Sequence, residues 1–210
     1  MRVRLPILAF AFLLALPVGF GHAEDQAQPQ AAANGAPLEV RMGLIRRAVP
    51  PPPLYDLLAV PEDEAVAGAV LAIADNNTTG MFTGQHFTLE DVTLEEDEDP
   101  VAAARKMAAE GTKLITVNLT GAETLAVADA VKGDGAIVFN AGALDDALRG
   151  ADCRANVFHL APSRAMLTDA VAQFLAKKRW SKAFLVVGPK PADALYAAAF
   201  KHSAAKFGLK

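Results

Sequence analysis

Two corners of the chain join a side-chain hydrogen-bonding group to backbone of the kind that could hold a small ligand. In Asn118-Leu119-Thr120-Gly121-Ala122 the Thr120 hydroxyl stands directly ahead of a glycine and a helical pattern, and in Phe139-Asn140-Ala141-Gly142 an amide stands beside small residues. The first N–H groups of a helix have no partner within it, so a hydroxyl or amide beside them can help receive an anion or a carbonyl oxygen. The same residue types also cap helices and close turns, and the sequence permits both readings.

Other chemistry is thinner. Glu95-Glu96-Asp97-Glu98-Asp99 is an acidic run that could attract calcium or a lanthanide. It lacks the alternating acid spacing, central glycine and distal Glu that aim oxygens at one ion, so it reads first as a solvated lead-in to a helix at Pro100. Cys153 is the single cysteine, has no base near it in sequence, and reads as a small buried residue. Outside the first 23 residues the histidines are His86, His159 and His202, without the spacing of a zinc site. There is no G-x-G-x-x-G after the first strand, no G-x-x-x-x-G-K-[ST] and no G-x-S-x-G. No catalytic residue, metal ligand or cofactor is assigned, and an enzyme is not expected.

The chain has 210 residues, 52% of them hydrophobic, and a formal charge of −4. That composition supports a packed core and excludes a disordered chain. Arg2, Arg4, the apolar run Leu5–Val18 and the small residues Gly21 and Ala23 ahead of Glu24 read as a secretory signal. Its 14 apolar residues are short of the roughly 20 that span a bilayer, and no later stretch reaches that length. Removing Arg2 and Arg4 takes the charge from −4 to −6, which argues against nucleic acid as a partner. Residues 1–23 are expected to be a signal peptide, with the product in the periplasm and no span left in the membrane. Residues 24–37, rich in Ala, Gln and Pro, read as a flexible N-terminus.

The ligand corners must be positioned by alternating strands and helices. Leu38–Ile45 is a strand candidate, followed by a loop holding Tyr55 and four prolines, Pro50–Pro53. Pro61 with three acids opens a helix whose apolar face carries Val66, Val70 and Ile73. The polar run Asn76–Thr79 and Gly80 should end it. Extended segments are expected at 86–94, 113–119, 135–140, 156–160 and 182–188. Helices are expected at 101–110, from Glu123 to Val131, at 163–178 with Met166, Ala170, Phe174 and Leu175 on one face, and at 191–207. Strands separated by helices imply parallel pairing through right-handed crossovers, and the apolar runs at 114–117, 136–139 and 183–187 fit strands covered on both faces. The fold class is therefore α/β, a parallel doubly wound sheet followed by the start of a second α/β lobe.

The helix-ending phrase AIADNNTTG, the strand after it and the later DP…MAAEGTKLI resemble the first lobe of type I periplasmic solute-binding proteins of ABC importers, the branch that binds branched-chain amino acids. The passages PEDEAVAGAVLAIADNNTTG, CRANVFHLAPSRAMLTDA and KKRWSKAFLVVGP are most similar to the group associated with pyrroloquinoline-quinone-dependent alcohol dehydrogenase systems. The resemblance covers about residues 38–210. It implies a first lobe at 38–160, a partial second lobe at 161–210, a small-molecule ligand in the cleft between lobes, and a membrane permease as partner. It also implies that Asn118, Thr120, Gly121, Ala122, Asn140 and Ala141 line the ligand, with Tyr55 as a wall. The chain resembles a truncated version, since the second lobe is cut short. An exported acidic metal-binding protein using Glu95–Asp99, or a non-functional fragment, is the alternative.

Overall fold

The computed structural model describes residues 36–49, 61 and 63–210. The signal segment, most of the Ala/Gln/Pro stretch, the proline loop and Tyr55 lie outside the described residues. The described residues form a five-stranded parallel sheet with the order β2-β1-β3-β4-β5. In chain order its elements are β1 (Leu38–Arg47), α1 (Val66–Thr83), β2 (Gln85–Leu94), α2 (Pro100–Ala109), β3 (Leu114–Asn118), α3 (Gly121–Val131), β4 (Ile137–Asn140) and β5 (Val157–His159). Two further helices follow, α4 (Arg164–Lys177) and α5 (Pro191–Lys206).

The core lies on one face of the sheet. Ile45, Ile115, Val117 and Val138 alternate inward from β1, β3 and β4 onto Met107 and Ala108 of α2 and Val127 and Val131 of α3, all fully or almost fully buried. Gly43 belongs to the same face: a Cβ there would stand 2.8 Å from the Met107 sulfur. The opposite face of β1 and β2 meets α1, which shares a cavity with Met42, Leu44, Phe87 and Leu89. This division follows from the strand order. The chain moves one way from β1 to β2 and the other way to β3, and right-handed crossovers then place α1 on one face and α2 and α3 on the other.

The corner at Gly80 departs from the sequence reading. α1 starts at Val66 rather than at Pro61, runs through Asn76–Thr79 and stops at Gly84, whose φ of 68° is the left-handed cap. The polar run is absorbed because it bonds to the helix and to β2 instead of ending the helix. Asn76 and Thr78 donate to the carbonyls of Ala72 and Asp75. Asn77 donates from Nδ2 to the Phe87 carbonyl at 2.9 Å and accepts the Phe87 N–H at 2.8 Å. β2 is an edge strand, and the Asn77 carboxamide supplies it with the donor and acceptor that a neighbouring strand would have given. Gly80 is in mid-helix for closeness: a Cβ there would lie 2.3 Å from the Gln85 carbonyl oxygen.

The second part of the chain also differs. Residues 182–188 form no strand of this sheet. A strand needs a partner, and the one that residues 181–183 meet is Lys210, which donates to the Ser181 carbonyl and accepts from the Ala183 N–H. That is a single parallel bridge. On α4, Met166, Ala170 and Phe174 are exposed, and the buried positions are Thr168 and Ala172. The small residues face α5 because Ser203, fully buried, bridges the helices. It donates to Asp169 Oδ1 at 2.7 Å and lies 2.9 Å from the Thr168 hydroxyl. Cys153, expected inside, is exposed on the turns that precede β5; its neighbours there are polar and bond outward, Arg154 to the Asp129 carboxylate and Asn156 to the Ala128 carbonyl, so no apolar core forms around the thiol.

Two substitutions should expose these constraints. Asn77→Ala leaves both Phe87 backbone groups without a partner and is expected to lower unfolding stability by about 1–3 kcal/mol. Gly80→Ala should destabilise as well, because its clash is with backbone that cannot rotate away. Urea unfolding of the two variants beside the wild type measures both, and a change within experimental error for either would contradict the geometry.

Candidate ligand-binding site

The strand order reverses between β1 and β3, and in an open parallel sheet the crevice lies outside the carboxyl ends of strands flanking such a reversal. β1 delivers Arg47 to that edge, β3 delivers Asn118 and β4 delivers Asn140. A cavity of about 800 Å³ opens above them, bounded by Arg47, Asn118 and Thr120 on one side and by Gly142, Arg164 and Tyr196 on the other.

α3 is held at the cavity floor by its first turn. Thr120 accepts the Glu123 N–H, and the Glu123 carboxylate accepts the Thr120 N–H at 2.9 Å and its hydroxyl at 2.7 Å, a reciprocal cap. Arg47 binds the same carboxylate through Nε at 3.1 Å and Nη2 at 2.5 Å. Burial alone would raise the Glu123 pKa; the hydrogen bonds from Arg47 and Thr120 outweigh it and hold the carboxyl below its ordinary range. Arg47 Nη1 donates to the Glu98 carbonyl at 2.9 Å and to that of Glu95. The arginine at the end of β1 is thus committed to structure, and so is the Thr120 hydroxyl.

The acidic run is engaged in the same region. Asp99 caps α2 by accepting the Val101 N–H, and Glu98 accepts the Glu95 N–H. Among the described residues no three His, Cys, Asp or Glu side chains gather closely enough to hold a metal ion.

Asn140 organises the opposite wall from below. Its side chain is fully buried. Oδ1 accepts the N–H groups of Gly142 and Ala143, and Nδ2 donates to the Ala143 carbonyl at 2.8 Å and to His159 Nδ1 at 3.1 Å. His159 then donates from Nε2 to the Leu148 carbonyl at 3.2 Å. This fixes the tautomer by the bonds around it. Burial, then the nearby Arg149 guanidinium, holds the imidazole below its ordinary pKa, against the bond to Leu148. A neutral histidine therefore ties β5 to the loop that carries Gly142, Ala143 and Leu148 into the cavity.

The charged pair over the floor is Asp145 and Arg164. Asp145 Oδ1 accepts from Arg164 Nη1 at 2.8 Å. Its Oδ2 stands 2.6 Å from where a Cβ on Gly121 would be, so this glycine lets a carboxylate rest on the first turn of α3. The Arg164 guanidinium also sits 5.9 Å from the centre of the Tyr196 ring of α5. The start of α4 is anchored to the same loop, with Arg164 N–H donating to the Leu144 carbonyl and Ala165 N–H to Asp146.

Of the residues singled out in the sequence, Asn118, Thr120, Gly121 and Ala122 come together on this cavity. Asn140 lies beneath it, and Ala141 lines a separate cavity of about 630 Å³ on the α1 face with Phe87 and Leu160. Arg47, Asp145, His159, Arg164 and Tyr196 were not singled out. Arg46-Arg47 directly after an apolar strand was a readable sign of positive charge at a carboxyl edge. The other four reach the site from distant segments and carry no local signal.

Residues 58–210 match the family described as periplasmic binding protein. No curated protein matches the chain. A substrate-binding protein of an ABC transporter from Desulfitobacterium hafniense, in complex with Leu, superposes with a TM-score of 0.63 at 19% identity, over 82% of this chain and 49% of that one. A leucine-, isoleucine-, valine-, threonine- and alanine-binding protein from Brucella ovis, in a closed conformation, gives 0.61 at 17% identity over 84% and 46%. A solute-binding protein from R. palustris in complex with 4-hydroxybenzoate gives 0.51 at 15% identity over 82% and 45%. The chain thus spans about half the length of these structures, and at such identities they share its fold.

The His159 tie predicts a pH dependence of stability. Its folded pKa is depressed, so the unfolded chain binds more protons and the contribution is complete above the unfolded value near 6.5. It is lost as pH falls below that value towards the folded pKa. Denaturation midpoints between about pH 5 and pH 8 should decline on the acid side for the wild type and flatten for His159→Gln; parallel curves would show that the imidazole does not titrate with folding.

Proposed function

The chain belongs to the periplasmic binding protein family, and from that premise we propose that it is the solute-binding component of an ABC importer, taking a small molecule into the cavity at the carboxyl ends of β1 and β3. Membership of that family supports a periplasmic location and a binding role. The observation that carries the reading is the cavity itself. It lies at the sheet's reversal, between the first turn of α3 and the first helices after the sheet, where a ligand would touch both parts of the chain. Residues 38–160 are proposed as the first lobe and 161–210 as part of the second. Among the described residues no helix is long and apolar enough to cross a membrane, so delivery across the membrane would fall to a permease.

In this reading Asn118, Gly121 and Ala122 contact solute directly. Thr120 and Asn140 act by positioning, since their side chains are already bonded. Tyr55, outside the described residues, is proposed as a wall only from its position in the sequence after β1. The tie to quinoprotein alcohol oxidation rests on the wording of residues 61–80, 153–170 and 177–189 and on nothing in the cavity; a rise of the transcript on growth with an alcohol would test it.

Leucine, isoleucine, 4-hydroxybenzoate and short alcohol-derived carboxylates form the first panel for thermal-shift measurement. A solute at about a hundred times its Kd should raise the melting temperature by about 5–10 °C. Asn118→Ala should cut that shift. No shift with any of them, at concentrations reaching the millimolar range, would count against solute binding by this chain.

A further inference from the structure

Resting on the reading of the cavity as the solute site, we infer that Asp145 is a built-in stand-in for the anionic group of the solute, and that Arg164 exchanges one carboxylate for the other. The polar groups of the cavity are unequal. Arg47 is bonded at Nε, Nη1 and Nη2, and the Thr120 hydroxyl is held by Glu123. Neither can turn to a ligand without dismantling the start of α3. Arg164 differs. Asp145 takes its Nη1, while its Nε is buried with no hydrogen-bond partner. A guanidinium has a donor fork matched to both oxygens of one carboxylate. Asp145, tethered through its own backbone, bonds the outer Nη1–Nη2 fork at Nη1 through one oxygen only; the unpartnered Nε belongs to the other fork, which it forms with Nη2.

Asp145 also has somewhere to go. It is the more exposed member of the pair, with 37% of its side chain accessible against 15% for Arg164. It sits on the loop that opens a single 3-10 turn at Asp146–Arg149. When it swings out towards solvent it vacates the place over Gly121 and the Arg164 edge together. That place is lined by a guanidinium, the open first turn of α3 and the Tyr196 ring on which the guanidinium rests. A carboxylate entering there would complete the fork and keep the charge balance that Asp145 provided. In the empty cavity Asp145 prevents Arg164 from standing as an uncompensated, mostly buried charge. The pair therefore sets specificity: it favours solutes bearing a carboxylate over neutral analogues of the same shape, and it does so at the cost of some affinity, because every such solute must first displace a tethered competitor.

The test uses sodium acetate, acetamide and methylammonium as probes in calorimetric titration of the full chain. Asp145→Asn and Asp145→Ser are both measured, with melting curves, so that a folding defect in one leaves the other readable. Each should bind acetate about tenfold more tightly than the wild type, with acetamide unchanged. Adding Arg164→Gln should abolish the gain, and Arg164→Lys should keep part of it. Acetate affinity unchanged or unmeasurable in both variants, an equal gain for acetamide, or methylammonium binding to the wild type that is lost in the variants would overturn the exchange. The last result would make Asp145 a cation ligand. Failure of leucine and 4-hydroxybenzoate to bind, with the acetate gain intact, would remove the solute reading and leave the exchange standing.

Discussion

The buried carboxamide of Asn140 is the constraint on which the cavity depends. It sits at the carboxyl end of β4, where the ladder stops and the chain must turn back. An uncompensated amide at that depth would cost about 1–3 kcal/mol. Here its oxygen takes two backbone N–H groups, its nitrogen one backbone carbonyl and one imidazole nitrogen. The loop from Ala141 to Leu148 therefore has one favoured path, and that path carries Asp145 over α3. Replace the amide and the floor of the cavity, the histidine tie and the Asp145–Arg164 pair lose their common reference.

Charge in the cavity is compensated in two layers. The deeper layer is Arg47 with Glu123, which joins the end of β1 to the start of α3 and closes the gap between the two strands flanking the reversal. It is cross-braced by carbonyls of the acidic turn, which explains a second use for Glu95–Asp99: the run presents backbone oxygens inward while its carboxylates cap and solvate. The upper layer is Asp145 with Arg164, which reaches across to the helices after the sheet. The two layers differ in how many donors are spoken for, and that difference separates a structural ion pair from one that can exchange.

α4 and α5 form a pair of their own, joined by the Ser203, Asp169 and Thr168 seam and by Lys206 on Asp169. Hydrogen bonds donated by Lys206, and then by Ser203, hold the Asp169 carboxyl below the ordinary range. The pair meets the loop after β4 through the bonds at the start of α4, and no residue of either helix belongs to the apolar core on the sheet. Phe174, Val186 and Phe184 remain exposed in this part of the chain. A unit tied to the sheet by polar bonds near the cavity is well placed to respond to what the cavity holds.

Much of the fold was legible because it is local. Alternating strands and helices, the β3 and β4 runs, the Thr120 corner and the Ser163 cap each follow from residues within a few positions of one another. The α/β class and the parallel sheet follow from those elements and the handedness of their crossovers. Tertiary structure decided the rest wherever a residue's partner is distant. Gly80 looks like a helix end because a glycine after polar residues ends most isolated helices; β2, which needed the Asn77 amide and a close backbone, carried α1 on to Gly84. The 182–188 run has the composition of a strand, but pairing is a property of two segments. The apolar face of α4 reads as the buried one, yet the smaller Thr168 and Ala172 allow the closer approach to α5. For the candidate site, the corner at Asn118–Ala122 was readable in the sequence as a strand end running into a capped helix. Which of the groups around it are already bonded was decided only by the contacts of Arg47, Asp145 and Arg164, charges brought together from segments far apart in the chain.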